Sequence, residues 1–291
     1  MKKKKVIAWV SSLVVIIGLC VLLSFTFFSV KEVELDFRTS KTNITATDEE
    51  IIEASGIKEG GTIFFRNKAA YAENIESEFA YINVINIESV FPSKLVVHLA
   101  EREEVYAVKG EDNFYICDEE LRVLRVVEIF ESDQSNAMLL TADAEVKNLK
   151  VGQYITQFTN PKLYQSLFAN NRTLAAQKSL IKQIDITKEF DEGLQQKVDT
   201  LKLKLHSGQT VTIANYMVAL SYKTHLMMEV YSSLFDMADK DSLQEDGSLA
   251  PLTLENLKSC EIYINNYYTQ GGNLKLDQEN CYFKIFVAQS V

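Results

Sequence analysis

The sequence predicts an α+β protein: a single N-terminal transmembrane helix, a β-α-α-β-β module, then a larger mixed-sheet domain with flanking helices. Three observations carry that expectation. Residues Val6 to Val30 hold no charged side chain. Two helix starts lie between strand-like segments over residues 31–103. From residue 104 onward, short alternating segments dominate.

The apolar run follows a basic cluster, Lys2 to Lys5. As a helix rising about 1.5 Å per residue it is roughly 37 Å long, enough to cross a ~30 Å hydrocarbon core with tilt. A cleaved secretory signal has an apolar core of only about 7–15 residues and a small-x-small cleavage site. This run is longer and ends in Phe27-Phe28-Ser29-Val30, so an uncleaved anchor over residues 6–30 is expected. The lysines precede it, and the positive-inside bias makes residues 1–5 a cytoplasmic tail and sends everything after Lys31 across.

The 291 residues are 47% hydrophobic and 24% charged, which suits a chain with a sizeable core rather than a disordered one. Setting aside the four N-terminal lysines leaves 26 basic against 40 acidic residues, a net charge of −14 outside. Such a body does not neutralise phosphate, so nucleic acid is excluded as a partner. Broad electrostatic adhesion to anionic surfaces is disfavoured in the same way. The four cysteines include no Cys-x-x-Cys pair, which removes thioredoxin-like and zinc-ribbon chemistry.

Within residues 31–103, Val30 to Phe37 alternates apolar with charged residues and reads as a half-buried strand. Thr47-Asp48-Glu49-Glu50 is a capping box, in which the hydroxyl and the Glu50 carboxylate each satisfy a backbone N–H. It opens a helix carrying Ile51, Ile52 and Ala54, stopped by Gly56. Gly60-Gly61 marks a turn before the apolar Thr62-Ile63-Phe64-Phe65, and Asn67 caps a second helix with Ala70, Ile75 and Phe79. Strands Ile82–Val90 and Leu95–Leu99 meet at the turn Phe91-Pro92-Ser93-Lys94. Helices on one face of a small sheet follow from that order.

Residues 104–291 read as a domain of short strands with a C-terminal strand extension. Val105–Val108, Phe114–Ile116 and Arg122–Val127 are strands, followed by a polar loop at Glu131–Asn136. Leu163 to Leu180 reads as a helix, then Ile184–Ile186, Leu201–Leu205 and Thr210–Ile213 as strands. Val218 to Ala238 has helical spacing at Leu220, Met227, Val230, Leu234 and Met237, and Asp239 to Gly247 reads as a loop. Glu261–Ile264 and Cys281–Val287 read as strands around Gly271-Gly272.

This order of anchor, β-α-α-β-β module and strand-rich domain resembles the bacterial cell-division proteins called FtsQ or DivIB, whose membrane-proximal module is a POTRA domain. In the module the resemblance rests on Val33, Leu35, Thr47-x-x-Glu50-Ile51, Ala54 to Gly60, Ile63-Phe64, Tyr81-Ile82, Phe91-Pro92 and Leu95–Leu99 ending in Glu101-Arg102. Beyond it, Tyr115-Ile-x-Asp118, Val123-Leu124, Leu140-Thr141, Val151-Gly152, Ile184–Ile186, Leu203–Gly208 and Lys223 are similar to family landmarks. The chain departs from the pattern at Arg38-Thr39, Ala80, Glu104 and Ala214-Asn215, and its last fifty residues match poorly. The resemblance implies a scaffold at the division septum that binds FtsB- or DivIC-like and FtsL-like single-pass partners and helps control septal peptidoglycan synthesis. An extracytoplasmic sensor or envelope-assembly factor is the alternative.

Candidate partner-binding residues are Phe91, Pro92, Glu101, Arg102, Leu201, Leu203, Leu205, Lys223, Tyr282 and Ile285. Strand addition is the expected mode, with Leu201–Leu205 and Tyr282–Val287 as candidate edges. The bland reading of Phe91-Pro92 and Glu101-Arg102 is a turn and a solvated charge pair. That of the late-helix stripe is core. Ser55-x-x-Lys58 and Ser179-x-x-Lys182 match a penicillin-binding nucleophile pattern, but its companion Ser-x-Asn and Lys-Thr-Gly elements are missing from the sequence. His98, His206 and His225 lack metal-ligand spacing, so no metal, cofactor or catalytic role is expected. Cys260 and Cys281 flank the terminal hairpin and are candidates for a disulfide outside the cytoplasm.

Overall fold

A computed structural model of the chain describes residues 9, 12–19, 22, 27–64, 67–131, 136–141, 146–156, 173–191, 195–235, 241–243, 249–251, 260–264, 268–270, 273–275 and 281–284. Contacts divide it into two units, Met1–Glu103 and Glu104–Val291. Residues 9, 12–19 and 22 are helical. Among the described residues no helix is long and apolar enough to cross a membrane. Much of the expected anchor falls outside them.

The first unit runs β1 (Glu32–Phe37), α1 (Asp48–Ser55), α2 (Lys68–Glu78), β2 (Ile82–Val90) and β3 (Lys94–Glu101). Its three-stranded sheet has the order β1-β3-β2, with β1 parallel and β2 antiparallel to β3. The central strand β3 buries every second side chain, and Leu95, Val97 and Leu99 are each 0% exposed. Period-two burial in a strand bonded on both sides is what places the core on one face. Ile51 from α1 and Ile75 from α2 close that face over Ile82, Ile87, Val97 and Leu99.

The local signals behind the helices are realised. The Thr47 hydroxyl accepts from the Glu50 N–H at 3.3 Å, and the Glu50 carboxylate accepts from the Thr47 N–H at 2.8 Å. The helix ends at Gly56, whose φ of +70° is the left-handed conformation that glycine adopts without a Cβ penalty. Asn67 Oδ1 accepts from the Ala70 N–H at 3.2 Å and starts α2.

The second unit is built on a nine-stranded sheet of order β16-β13-β10-β9-β8-β7-β4-β5-β6. Its strands are β4 (Tyr106–Lys109), β5 (Phe114–Cys117), β6 (Val123–Val127), β7 (Met138–Thr141), β8 (Ile181–Asp191), β9 (Gln196–Leu205), β10 (Thr210–Ala214), β13 (Glu261–Ile264) and β16 (Cys281–Lys284). The sheet is mixed: β7 runs parallel to both β4 and β8, and β10 runs parallel to β13. Two ribbons stand apart from it, β11 (Asp241–Leu243) with β12 (Leu249–Pro251) and β14 (Tyr268–Gln270) with β15 (Asn273–Lys275). Helix α3 (Leu220–Phe235) contributes Leu220 and Met227 to a core that includes Leu201, Leu203, Val211, Ile213 and Ile262.

Several sequence expectations need correction here. Met138–Thr141 is a strand where none was expected, because four residues are too short to show a period. The expected loop at Asp239–Gly247 contains β11, a three-residue strand made by its pairing rather than by its own apolar content. The terminal strands are not joined by one simple turn, since the β14–β15 ribbon intervenes. The helix expected over Leu163–Leu180 lies outside the described residues up to 172; residues 173–175 are helical and 176–180 form a turn into β8. Helix α3 starts two residues later than expected because Asn215 and Ala219 take positive φ values of 45° and 55° ahead of it.

Candidate partner-binding surfaces

The two proposed edges fare differently. β9 is bonded to β8 on one side and β10 on the other, with Leu203 opposite both Ile184 and Val211. Leu201, Leu203 and Leu205 are buried in the core. The reading of Leu201–Leu205 as an edge is therefore corrected: β8 and β10 flank the strand, so its N–H and C=O groups are already paired. β16 is an outer strand among the described residues, bonded antiparallel to β13 with Tyr282 opposite Tyr263. Ile285 lies outside the described residues.

Glu101 and Arg102 do not form the solvated pair that their adjacency suggests. The Glu101 carboxylate accepts from the Thr42 N–H at 2.5 Å, the Asn43 N–H at 2.6 Å and the Asn43 side-chain amide at 2.8 Å. It clamps the β1–α1 connection to the end of β3. Arg102, 9% exposed, donates to the Ile82 carbonyl at 3.3 Å and the Asn83 side chain at 3.2 Å. It also pairs with Glu76 of α2 at 3.3 Å, and the other oxygen of Glu76 accepts from the Val84 N–H at 2.8 Å. One guanidinium thus ties the helix layer to the sheet. Removing one partner of a buried, hydrogen-bonded charge pair leaves the other uncompensated. Arg102→Ala is expected to destabilise the first unit by about 3 kcal/mol in urea unfolding.

Phe91 is on the surface at the β2–β3 turn, 63% exposed, and its bond to Pro92 is cis. Its ring meets Phe28 edge-on at 5.8 Å and Phe64 at 5.6 Å, while Phe28 and Phe64 meet at 5.4 Å. Sequence reasoning named Phe91 and missed its two companions, which come from separate segments; only the shared aromatic character hinted at them.

Lys223 is fully buried. Its Nζ donates to the Ala214 carbonyl at 2.6 Å and the Asn215 carbonyl at 3.0 Å, where β10 ends. The late-helix stripe follows the bland reading where its side chains are described: Leu220 and Met227 are core, and Val230 packs against that core. Met237 lies outside the described residues.

The Cys260–Cys281 bridge is corrected. Cys260 is a free, buried thiol, and burial pushes its pKa up to about 11. It precedes Glu261, the residue opposite Lys284, whereas Cys281 lies opposite Ile264. The two therefore sit at opposite ends of the β13–β16 pair. Four residues of strand separate them by about 13 Å, well beyond the roughly 4.4–6.8 Å between Cα atoms that a disulfide spans.

Ser55 is also committed structurally: its hydroxyl donates to the Ile52 carbonyl at 2.5 Å and accepts from the Ile57 N–H at 3.0 Å. His98 lies between acidic neighbours, 2.7 Å from Asp36 and 3.5 Å from Glu88. Among the described residues no group of His, Cys, Asp and Glu side chains is arranged to hold a metal ion.

Comparison with known proteins agrees with the architecture. Residues 28–102 match the family model described as "POTRA domain, FtsQ-type". A cell division protein DivIB of Clostridium botulinum strain Hall is 28% identical over 149 residues, covering 51% of this chain and 49% of that protein. A DivIB of Clostridium tetani is 31% identical over 140 residues, 47% of this chain and 44% of that one. A cell division protein FtsQ of Corynebacterium glutamicum is 30% identical over 115 residues, 37% of this chain and 51% of that one. The chain spans about half the length of the curated relatives it matches.

Proposed function

From its FtsQ-type POTRA domain and its relation to the FtsQ/DivIB proteins, we propose that this chain is a cell-division scaffold that recruits single-pass partners by strand addition. The observation that carries the reading is β16, an outer strand of the nine-stranded sheet next to no further strand among the described residues. An extended segment of an FtsB- or DivIC-like partner adds beside it, gaining main-chain hydrogen bonds worth about 0.5–1.5 kcal/mol each. FtsL-like partners join through that complex, and the assembly helps control septal peptidoglycan synthesis.

In this reading Val6–Val30 is the membrane anchor, with the acidic body outside the cytoplasm at the septum. Gly18, having no side chain, lets a partner helix approach closely. The protein works by binding rather than catalysis. Its Ser-x-x-Lys match at Ser55 has a hydroxyl engaged with its own helix end.

Depletion tests the role directly. Cells losing the protein are expected to elongate without septa, and the external body is expected to co-purify with the FtsB- or DivIC-like and FtsL-like partners. Normal septation with another envelope process failing would instead favour the sensor or assembly-factor alternative.

A further inference from the structure

The end of the first unit that carries Phe28, Phe64 and Phe91 is joined to the apolar run without slack. The Val30 N–H donates to the Gly61 carbonyl at 2.8 Å, the Gly60 N–H to the Val30 carbonyl at 3.0 Å, and the Ile63 N–H to the Phe28 carbonyl at 2.8 Å. The Lys31 N–H donates to the Ser93 carbonyl at 2.8 Å, in the turn beside Phe91. Val30, Ile63 and Leu95 form a small core of their own, each at most 2% exposed, with Phe28 and Phe64 packed on it. Among the described residues, folded structure thus begins at Phe28, inside the uncharged run itself.

The three rings come from the run's end, the 60–64 segment and the β2–β3 turn, and they share one patch. At this end apolar surface faces outward: Phe27 is 64% exposed, Phe91 63% and Val90 38%. We infer that this aromatic patch is a second, peripheral membrane contact, seated in the headgroup boundary of the bilayer beside the anchor's exit point. The inference rests on reading Val6–Val30 as the anchor. Chain continuity selects the occupant: Phe27 and Phe28 are the last aromatic residues of that run, and Phe91 lies in ring contact with Phe28. Wherever lipid ends at Phe28, Phe91 is at the same level. Aromatic rings favour that boundary, and they bind there by apolar burial rather than by charge. The contact would hold the module at a set angle to the membrane instead of on a free tether.

The test uses the full chain in vesicles with a Trp9→Phe background, which removes the sole tryptophan. Phe91→Trp, just past the end of β2, is compared with Ile85→Trp, an exposed position within β2 about 20 Å away at 3.3 Å per residue. With lipids brominated near the headgroup end of the acyl chain, Phe91→Trp is expected to lose most of its emission and Ile85→Trp to keep it. Val90→Trp serves as a second reporter should Phe91→Trp misfold. Alkaline carbonate extraction is run in parallel. Resistance to extraction without quenching at either reporter overturns the patch contact and leaves the anchor standing. Release by carbonate overturns both. Quenching only at Phe91→Trp establishes the contact, equal quenching at Ile85→Trp refutes an end-on one, and an emission shift that requires an added partner protein assigns the patch to protein instead.

Discussion

Of the two single variants Tyr282→Pro and Phe283→Pro, one is expected to lose partner affinity about 100-fold while melting like the parent protein. In an antiparallel pair, successive residues of a strand point their N–H groups alternately toward the neighbour and away from it. β16 has β13 on one side, with Tyr282 opposite Tyr263 and Phe283 opposite Ile262. Of these two adjacent N–H groups, one serves β13 and the other faces outward. Proline removes an N–H and places its ring where the hydrogen bond would form. At the outward position the fold keeps its ladder, but an added strand loses one bond and is held off its neighbours, the equivalent of about 2.7 kcal/mol for the 100-fold loss. At the inward position the β13–β16 ladder breaks and the second unit loses stability. Calorimetric titration with the partner and thermal melts of both variants separate the cases. If neither variant weakens binding beyond its own loss of folded protein, β16 is not the docking edge.

The first unit was legible because its signals are local. A capping box, a glycine stop and an asparagine cap depend on neighbours within three or four residues, and each appears as hydrogen bonds at those positions. The second unit hides its order in pairing. β8 and β9 extend to eleven and ten residues, yet their outer halves carry charges, Lys188 paired with Asp199 among them, that look like loop in isolation. Edge and interior strands differ only in what lies beside them, so the leucines of β9 and the mixed residues of β16 could not be ranked as docking edges before the sheet order was known. Arg102 shows the same limit. Its sequence neighbour is Glu101, but its ion-pair partner is Glu76, brought in by α2.

Lys223→Met is expected to lower the melting temperature of the second unit by about 6–12 °C while leaving partner affinity per folded molecule unchanged. The lysine sits in the first turn of α3, and its side chain reaches back, 0% exposed, to the carbonyls of Ala214 and Asn215. Asn215 has a φ of 45°, outside the extended range, and lies beyond Ala214, the last residue of β10 paired with β9. Nζ satisfies both oxygens and joins the end of β10 to the start of the helix. Methionine preserves the aliphatic bulk and removes the donor, leaving buried acceptors whose desolvation costs about 3 kcal/mol in total. A role in direct partner contact predicts the opposite pair of results, normal melting with lost capture. Seeing that pair would move Lys223 from the frame of the domain to its binding surface, and would require α3 to open when the partner docks.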